Sequence, residues 1–325
     1  MFPLSGIRPR KRFGQHFLRD PGVPEAITRV ISPGPGDHLV EIGPGTGVLT
    51  AALLGAKPAS LTLIEIDRDL SAGLRAAFGA PGKDGGFQAP AGQGEGQGSE
   101  LAGGAATTRL SEAGSAPVLS LIEGDACTVD YTALAAERGA ALRVVGNLPY
   151  NVASLVLLHL VGHRAALRDQ TFMLQKEVVD RIVAPVGSAA FGRLTVMLQS
   201  CYSAEWLFDV EPEAFHPPPQ VRSSLLRLRN RSSDAPQRGG TSVGFRNCLE
   251  EVVRVGFAQR RKMLRGTLLR WLGAQGLDAS TAIGLGFAPE ARAQDIAVEQ
   301  WCALAACLVQ ARASAQEPGA AREGG

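Results

Sequence analysis

The sequence predicts an α/β fold, a doubly wound Rossmann-like sheet with a smaller C-terminal helical domain. Three observations predict it. Short apolar runs alternate with helical segments through the first half of the chain. The first run ends in a Gly-rich turn. Beyond residue 244, strand-like runs give way to apolar residues at helical spacing.

The runs follow in order. His38-Leu39-Val40-Glu41-Ile42 is the first, and residues 61–65, 118–122 and 142–146 are the next three. Each is short and rich in Leu, Val or Ile, the pattern of a strand buried on both faces. Residues 48–54 and 69–78 read as helices between them, so the connections are β-α-β and the sheet parallel. Candidate strands at 171–174, 205–210 and 223–228 complete the sheet. Leu249, Val252, Val253 and Phe257 mark a helical tail.

Composition sets boundaries. Residues 79–117 are dominated by Gly, Ala, Gln and Ser, with too few large apolar groups to repay ordering, and read as a disordered surface insertion. Residues 230–244 are a Ser/Gly/Arg/Pro linker. The expected organisation is a sheet domain over 1–229, a helical domain over 245–313 and a disordered tail over 314–325.

Five cysteines, an odd count with no Cys-x-x-Cys, argue against a disulfide framework or zinc ribbon and fit a reducing compartment. No apolar run approaches the length of a membrane span, and the N-terminus has no signal-peptide pattern. A cytoplasmic protein is expected; the basic N-terminus leaves an organellar address open. Net charge is only +2, so a nucleic-acid partner has to be argued from local clusters.

Glu41-Ile42-Gly43-Pro44-Gly45-Thr46-Gly47 stands between a strand and a helix, where Gly43 and Gly45 let a ligand approach the backbone. A dinucleotide fingerprint requires Gly or Ala where Val48 stands, and Pro44 lacks an N–H, so a nicotinamide-dependent dehydrogenase is disfavoured. Glu65 ends the second strand, about twenty residues on, where a carboxylate can accept from both ribose hydroxyls. Asp125 follows the third strand and can accept from an adenine amino group. Either acid alone would pass for a solvated charge. Together they fall where an open sheet binds its ligand.

Asn147-Leu148-Pro149-Tyr150 follows the fourth strand and matches the [Asn/Asp]-x-Pro-[Tyr/Phe] pattern of enzymes that methylate exocyclic amines. An adenine amine is a poor nucleophile because its lone pair is delocalised into the ring. Acceptors on its hydrogens, here the Asn147 side-chain oxygen and the Leu148 carbonyl, draw the nitrogen toward a pyramidal state. Pro149 fixes the backbone and Tyr150 offers a stacking plane for an extruded base.

With residues 12–18, 40–45, 146–151, 172–178 and 215–219, the chain resembles the KsgA/RsmA family from about Arg12 to Leu308. The resemblance implies a class I methyltransferase fold and S-adenosyl-L-methionine as cofactor. It implies dimethylation of two adjacent adenines in the 3′-terminal hairpin of small-subunit rRNA. It also implies that His16, Leu18, Gly43, Glu65, Asp125 and Asn147 lie on the cofactor. His16 stands where many members carry Asn. Phe215, before three prolines, is expected to face the base opposite Tyr150, with a core position as the alternative.

Arg8, Arg10, Lys11 and Arg12 form one basic cluster, and Arg260, Arg261, Lys262 and Arg265 form another in the helical tail. Both suit RNA phosphates, with a solvated helix face as the bland alternative. His159 and His163 are four apart, but the segment lacks a partner Glu and a third ligand, and no metal is expected. The expected partner is the small ribosomal subunit and its rRNA, met by a monomer. The alternatives are an assembly factor acting mainly by binding, and an adenine methyltransferase of large-subunit rRNA.

Overall fold

The structure is a computed structural model that describes residues 16–79, 107–109, 117–149, 151–231 and 242–316. All seven sequence-predicted strands appear, most of their residues in the first compact unit (Met1–Lys176 and Glu205–Arg229), and the fifth and sixth start four and three residues earlier than expected. They are β2 (His38–Ile42), β3 (Ser60–Glu65), β5 (Val118–Glu123), β6 (Leu142–Asn147), β7 (Leu167–Gln175), β8 (Tyr202–Val210) and β10 (Ser223–Asn230). Two two-residue strands, β1 (Phe17–Leu18) and β9 (Phe215–His216), pair with each other antiparallel.

Among the described residues the main sheet has eight strands in the order β4-β5-β3-β2-β6-β7-β10-β8, where β4 is Thr107–Arg109. Strands β5, β3, β2, β6 and β7 are parallel, and β10 runs antiparallel to β7. Strand order reverses between β2 and β6, which opens a crevice at their carboxyl ends. The two strands approach closely there. A Cβ on Gly146 would lie 2.4 Å from the Ile42 carbonyl oxygen, so only glycine fits.

The helices are α1 (Gly22–Ile31), α2 (Val48–Gly55), α3 (Arg68–Phe78), α4 (Tyr131–Arg138) and α5 (Ala153–Gly162). Local chemistry starts them. The Asp67 carboxylate accepts the Asp69 N–H at the head of α3, and Asp130 accepts from Thr132 and Ala133 at the head of α4. Helix α1 buries Pro24, Ile27 and Ile31 along one stripe.

The amino ends of the strands are joined by one buried cation. Arg143, 6% exposed, donates through Nε and Nη2 to both oxygens of Asp169, each at 2.9 Å. Its Nη1 reaches Asp37 Oδ2 at 2.7 Å, and Nη2 also meets the Ile31 carbonyl. One side chain thereby fixes the start of β6 against the entry to β2, the start of β7 and the end of α1. Burial opposes ionisation of Asp37, but the Gly34 N–H, Arg143 and Arg168 outweigh it and hold its pKa below the usual value.

The second compact unit comprises Glu177–Ala204 and Asn230–Gly325. Its helices are α6 (Lys176–Ile182, from its second residue), α7 (Arg193–Gln199), α8 (Val243–Phe257), α9 (Leu268–Ala274), α10 (Ala279–Gly284) and α11 (Val298–Gln316). Trp301 is fully buried between the rings of Phe257 and Phe287, and a Cβ on Gly256 would strike its indole at 2.3 Å.

Two expectations about domain limits are corrected. The boundary at 229 assigns residues 177–204 to the sheet domain, whereas they group with the C-terminal helices. The reason is packing at long range. The Phe191 ring meets Phe257, Arg193 pairs with Glu250, and Gln294 gives its carbonyl to the Gly187 N–H. The helical part begins at Val243, capped by Ser242, and continues to Gln316. Within the insertion expected to be disordered over 79–117, residues 107–109 pair with β5, Thr107 opposite Ile122 and Arg109 opposite Ser120. Two β-branched threonines suit an extended backbone. Residues 80–106, 110–116, 232–241 and 317–325 lie outside the described residues, and with them most of the expected insertion, linker and tail.

Replacing Arg143 with Met should cost about 3 kcal/mol of stability, because it strips partly buried Asp169 of its two-pronged partner and leaves Asp37 only Arg168 and the Gly34 N–H. Urea unfolding of the two proteins measures this, and an unchanged midpoint would reduce the clamp to a surface pair.

Candidate active site

The crevice at the β2–β6 switch point is a cavity bordered by residues from five segments of the first unit. The turn after β2 forms its floor. Gly43, Gly45 and Gly47 all have positive φ, at 66, 57 and 79°. A side chain at Gly47 would strike the Phe78 ring at 2.6 Å, and one at Gly45 would press on Phe17 at 3.2 Å. The turn then enters α2, whose first residue is Val48.

Glu65 ends β3 at the cavity and is 5% exposed. One carboxylate oxygen accepts the Asp67 N–H at 2.9 Å and the other the Gly45 N–H at 3.3 Å. Burial outweighs these bonds and pushes its pKa up to about 7. Glu41 also borders the cavity, 1% exposed, and accepts the Thr50 hydroxyl at 2.7 Å. Burial, with the neighbouring Glu65 charge, lifts its pKa to about 8. Asp125 stands exposed at the rim, with Oδ1 accepting the Cys127 N–H.

Asn147 is the last residue of β6. Its Nδ2 donates to the His16 main-chain carbonyl at 3.1 Å. The Leu148 N–H donates to the Met173 carbonyl on β7, and the Pro149 carbonyl accepts from Val152 and Ala153 at the start of α5. The chain turns away after Asn147, leaving Asn147, Leu148 and Pro149 on the cavity wall.

Every described residue expected on the cofactor borders this one cavity: His16, Leu18, Gly43, Gly45, Glu65, Asp125 and Asn147. Tyr150, Arg10, Lys11 and Arg12 lie outside the described residues. Phe215 departs from its expected place opposite the base. It is 3% exposed, pairs with Leu18 across β1–β9 and belongs to the core that includes Ile27, Met173 and Leu225. Its pairing with Leu18 and its place among these side chains give it the core position that was the alternative.

The basic cluster departs from expectation in a different way. Residues 260–262 form a turn after α8 rather than a helix face, and Arg265 sits in the 3-10 turn Leu264–Gly266. All four cations are exposed, but Arg260 donates to the carbonyls of Ala189 and Phe191 at 2.8 and 2.6 Å. That guanidinium is engaged in its own unit. Arg261, Lys262 and Arg265 carry the outward charge.

Sequence reasoning assigned no role to Glu41, Phe17, Ile66 or Val152, all of which border the cavity. Ile66 is 50% exposed directly after Glu65. A charge inside the apolar run of β2 was the available signal for Glu41.

Buried acceptors, backbone-lined floor and apolar wall suit a ligand carrying hydroxyls and an aromatic ring. A family model described as Ribosomal RNA adenine dimethylase matches residues 6–84 and 106–310. The chain is 45% identical over 310 residues to Ribosomal RNA small subunit methyltransferase A of Bordetella petrii, covering 95% of this chain and 99% of that one. Its counterpart in Leptothrix cholodnii is 41% identical over 302 residues, with 93% of each covered. A dimethyladenosine transferase from Plasmodium falciparum shares the fold, with TM-score 0.63 at 20% identity over 89% of this chain and 96% of that one. The 23S rRNA methyltransferase ErmE does so with TM-score 0.56 at 22% identity, over 90% and 99%.

The two raised carboxyls fix a pH dependence. The folded chain holds protons that the unfolded chain, near 4.5, has released. Their contribution to stability is therefore full below that value and is lost as pH rises through about 7 and about 8. Glu41→Gln cannot ionise. Without cofactor it should raise Tm by several degrees at about pH 9 and hardly change it at about pH 4. Calorimetric melts at the two pH values check this, and equal shifts at both would contradict it.

Proposed function

Since this chain belongs to the ribosomal RNA adenine dimethylase family, we propose that it dimethylates the N6 amine of two adjacent adenines in the 3′-terminal hairpin of small-subunit rRNA. The enzyme is an S-adenosylmethionine-dependent rRNA adenine dimethyltransferase. The curated relatives' names support the small subunit as partner, as do residues 14–18 and 259–262. The chain acts on that subunit as a monomer in the cytoplasm and contributes to its assembly. No described helix is long and apolar enough to cross a membrane.

The observation that carries the chemistry is Asn147 at the switch point, beside Gly43 and across the crevice from Glu65. The residues present fit the cofactor: Glu65 keeps a buried carboxyl at the cavity, with exposed Ile66 beside it, and the glycine turn leaves the floor as bare backbone. Glu65 would accept from the ribose hydroxyls and Asp125 from the adenine amine, with Ile66 against the ring. When bound, adenosylmethionine supplies a methyl on a sulfonium.

The protein's part is orientation. Asn147 Oδ1 and the Leu148 carbonyl accept the hydrogens of the target amine and expose its lone pair. Tyr150 stacks on the extruded base. Attack on a sulfonium needs no strong base, and the surplus proton leaves to water after transfer. Arg261, Lys262 and Arg265 meet rRNA phosphates.

Asn147→Ala should retain cofactor binding substantially and lose about a hundredfold or more in transfer rate. Mass spectrometry of small-subunit rRNA methylated by the two proteins measures this, and near-normal dimethylation by the variant would remove Asn147 from the chemistry. Changing Arg261 and Lys262 together to Ala should weaken subunit binding and flatten its salt dependence by about one to two units of slope. Cofactor affinity should stay unchanged. Equal slopes in a salt titration would reassign docking to another surface.

A further inference from the structure

A carboxamide has two unlike ends: its oxygen only accepts hydrogen bonds and its nitrogen only donates. The proposed transfer needs the oxygen end of Asn147 toward the target amine. The nitrogen end would set donor against donor. Half a turn about the terminal side-chain bond exchanges the ends at little steric cost, because that torsion is broad and two-fold. Some group must sort the two orientations.

The His16 main-chain carbonyl is placed to do so. It accepts from Asn147 Nδ2 at 3.1 Å, and both residues border the cavity. A carbonyl cannot donate, so it accepts the nitrogen end and repels the oxygen end. His16 stands immediately before β1, and its own side chain secures it. Nδ1 lies 2.8 Å from the Pro217 carbonyl, which fixes the ring proton on that nitrogen. The β1–β9 pair continues the clasp, with Phe17 opposite His216 and Leu18 opposite Phe215. Beyond it the Arg19 N–H reaches the Ala214 carbonyl at 2.7 Å.

We propose that His16 is a positioning residue: its imidazole pins its main chain to the Pro217 loop, and its carbonyl then holds Asn147 with the oxygen toward the substrate amine. The proposal rests on the rRNA methylation reading. It gives His16 a different task from the cofactor contact that family resemblance implies, and the two tasks separate kinetically. A lost cofactor contact weakens cofactor binding. A lost positioning contact lowers kcat at saturating cofactor.

The test uses the full chain with small subunits as substrate. His16→Ala should lower kcat by about three- to tenfold, the weight of one neutral hydrogen bond, with cofactor Kd changed by less than about twofold. His16→Asn, whose amide can donate to the same carbonyl, should recover most of that loss. A second measurement needs no turnover. The chain has four Asn, at 147, 151, 230 and 247, so selective ¹⁵N labelling resolves the Asn147 side-chain signal. In the wild type its protons should exchange slowly with solvent, and in His16→Ala quickly. An unchanged kcat with a weakened Kd would overturn the proposal and return His16 to the cofactor. So would an equal loss in His16→Asn, or fast exchange at Asn147 in the wild type. Wild-type protein that leaves subunit adenines unmethylated would instead sink the functional reading, and the exchange measurement would still decide the hydrogen bond.

Discussion

Arg143 is the constraint on which the rest of the sheet unit depends. A parallel sheet has no hairpins to set its register, so the strands must be aligned by what lies at their ends. Four hydrogen bonds from one guanidinium align β2, β6, β7 and α1 at the edge away from the cavity. Gly43 and Asn147 lie at the opposite ends of β2 and β6, and a strand that slipped by one residue would present its other face there. The geometry of the crevice is thus decided a full strand length away from it.

The cavity itself is built against electrostatic preference. Glu41 and Glu65 stand on neighbouring parallel strands, both nearly buried, and both hold protons more tightly than solvated carboxylates do. Such a pair is tolerable because each oxygen bond is short-range and local: a hydroxyl for one, two main-chain N–H groups for the other. A ligand that brought hydroxyl donors to Glu65 would relieve part of the desolvation. Binding and strain relief then coincide, which fits a site shaped for its ligand rather than for the empty state.

The sheet was legible because buried parallel strands are continuous apolar runs, and the runs from His38, Leu61, Val118 and Leu142 are bounded by turns. The Gly43–Gly45 turn, Glu65, Asp125 and Asn147 were legible as a set because each follows such a run. What escaped has no local signal. A two-residue pair such as Phe17–Leu18 with Phe215–His216 shows no periodicity. Residues 177–204 join the C-terminal helices through Phe191 and Phe257, a contact that spacing cannot reveal. Phe215 looks free beside three prolines until Leu18 and the core are seen around it. The apolar period through Phe257 matches α8, but it ends there, and nothing local shows that the chain turns at Ala258 and leaves the cations off the helix.

The strand Thr107–Arg109 has a consequence for how the protein lives among its copies. An outer parallel strand offers a row of unsatisfied amide and carbonyl groups, the template on which identical chains add edge to edge. Here β5 would be that row. A three-residue antiparallel strand occupies it, too short to invite further pairing in its own right. In colloidal terms the strand is a stopper: it seals the flank of the sheet that β5 would otherwise expose.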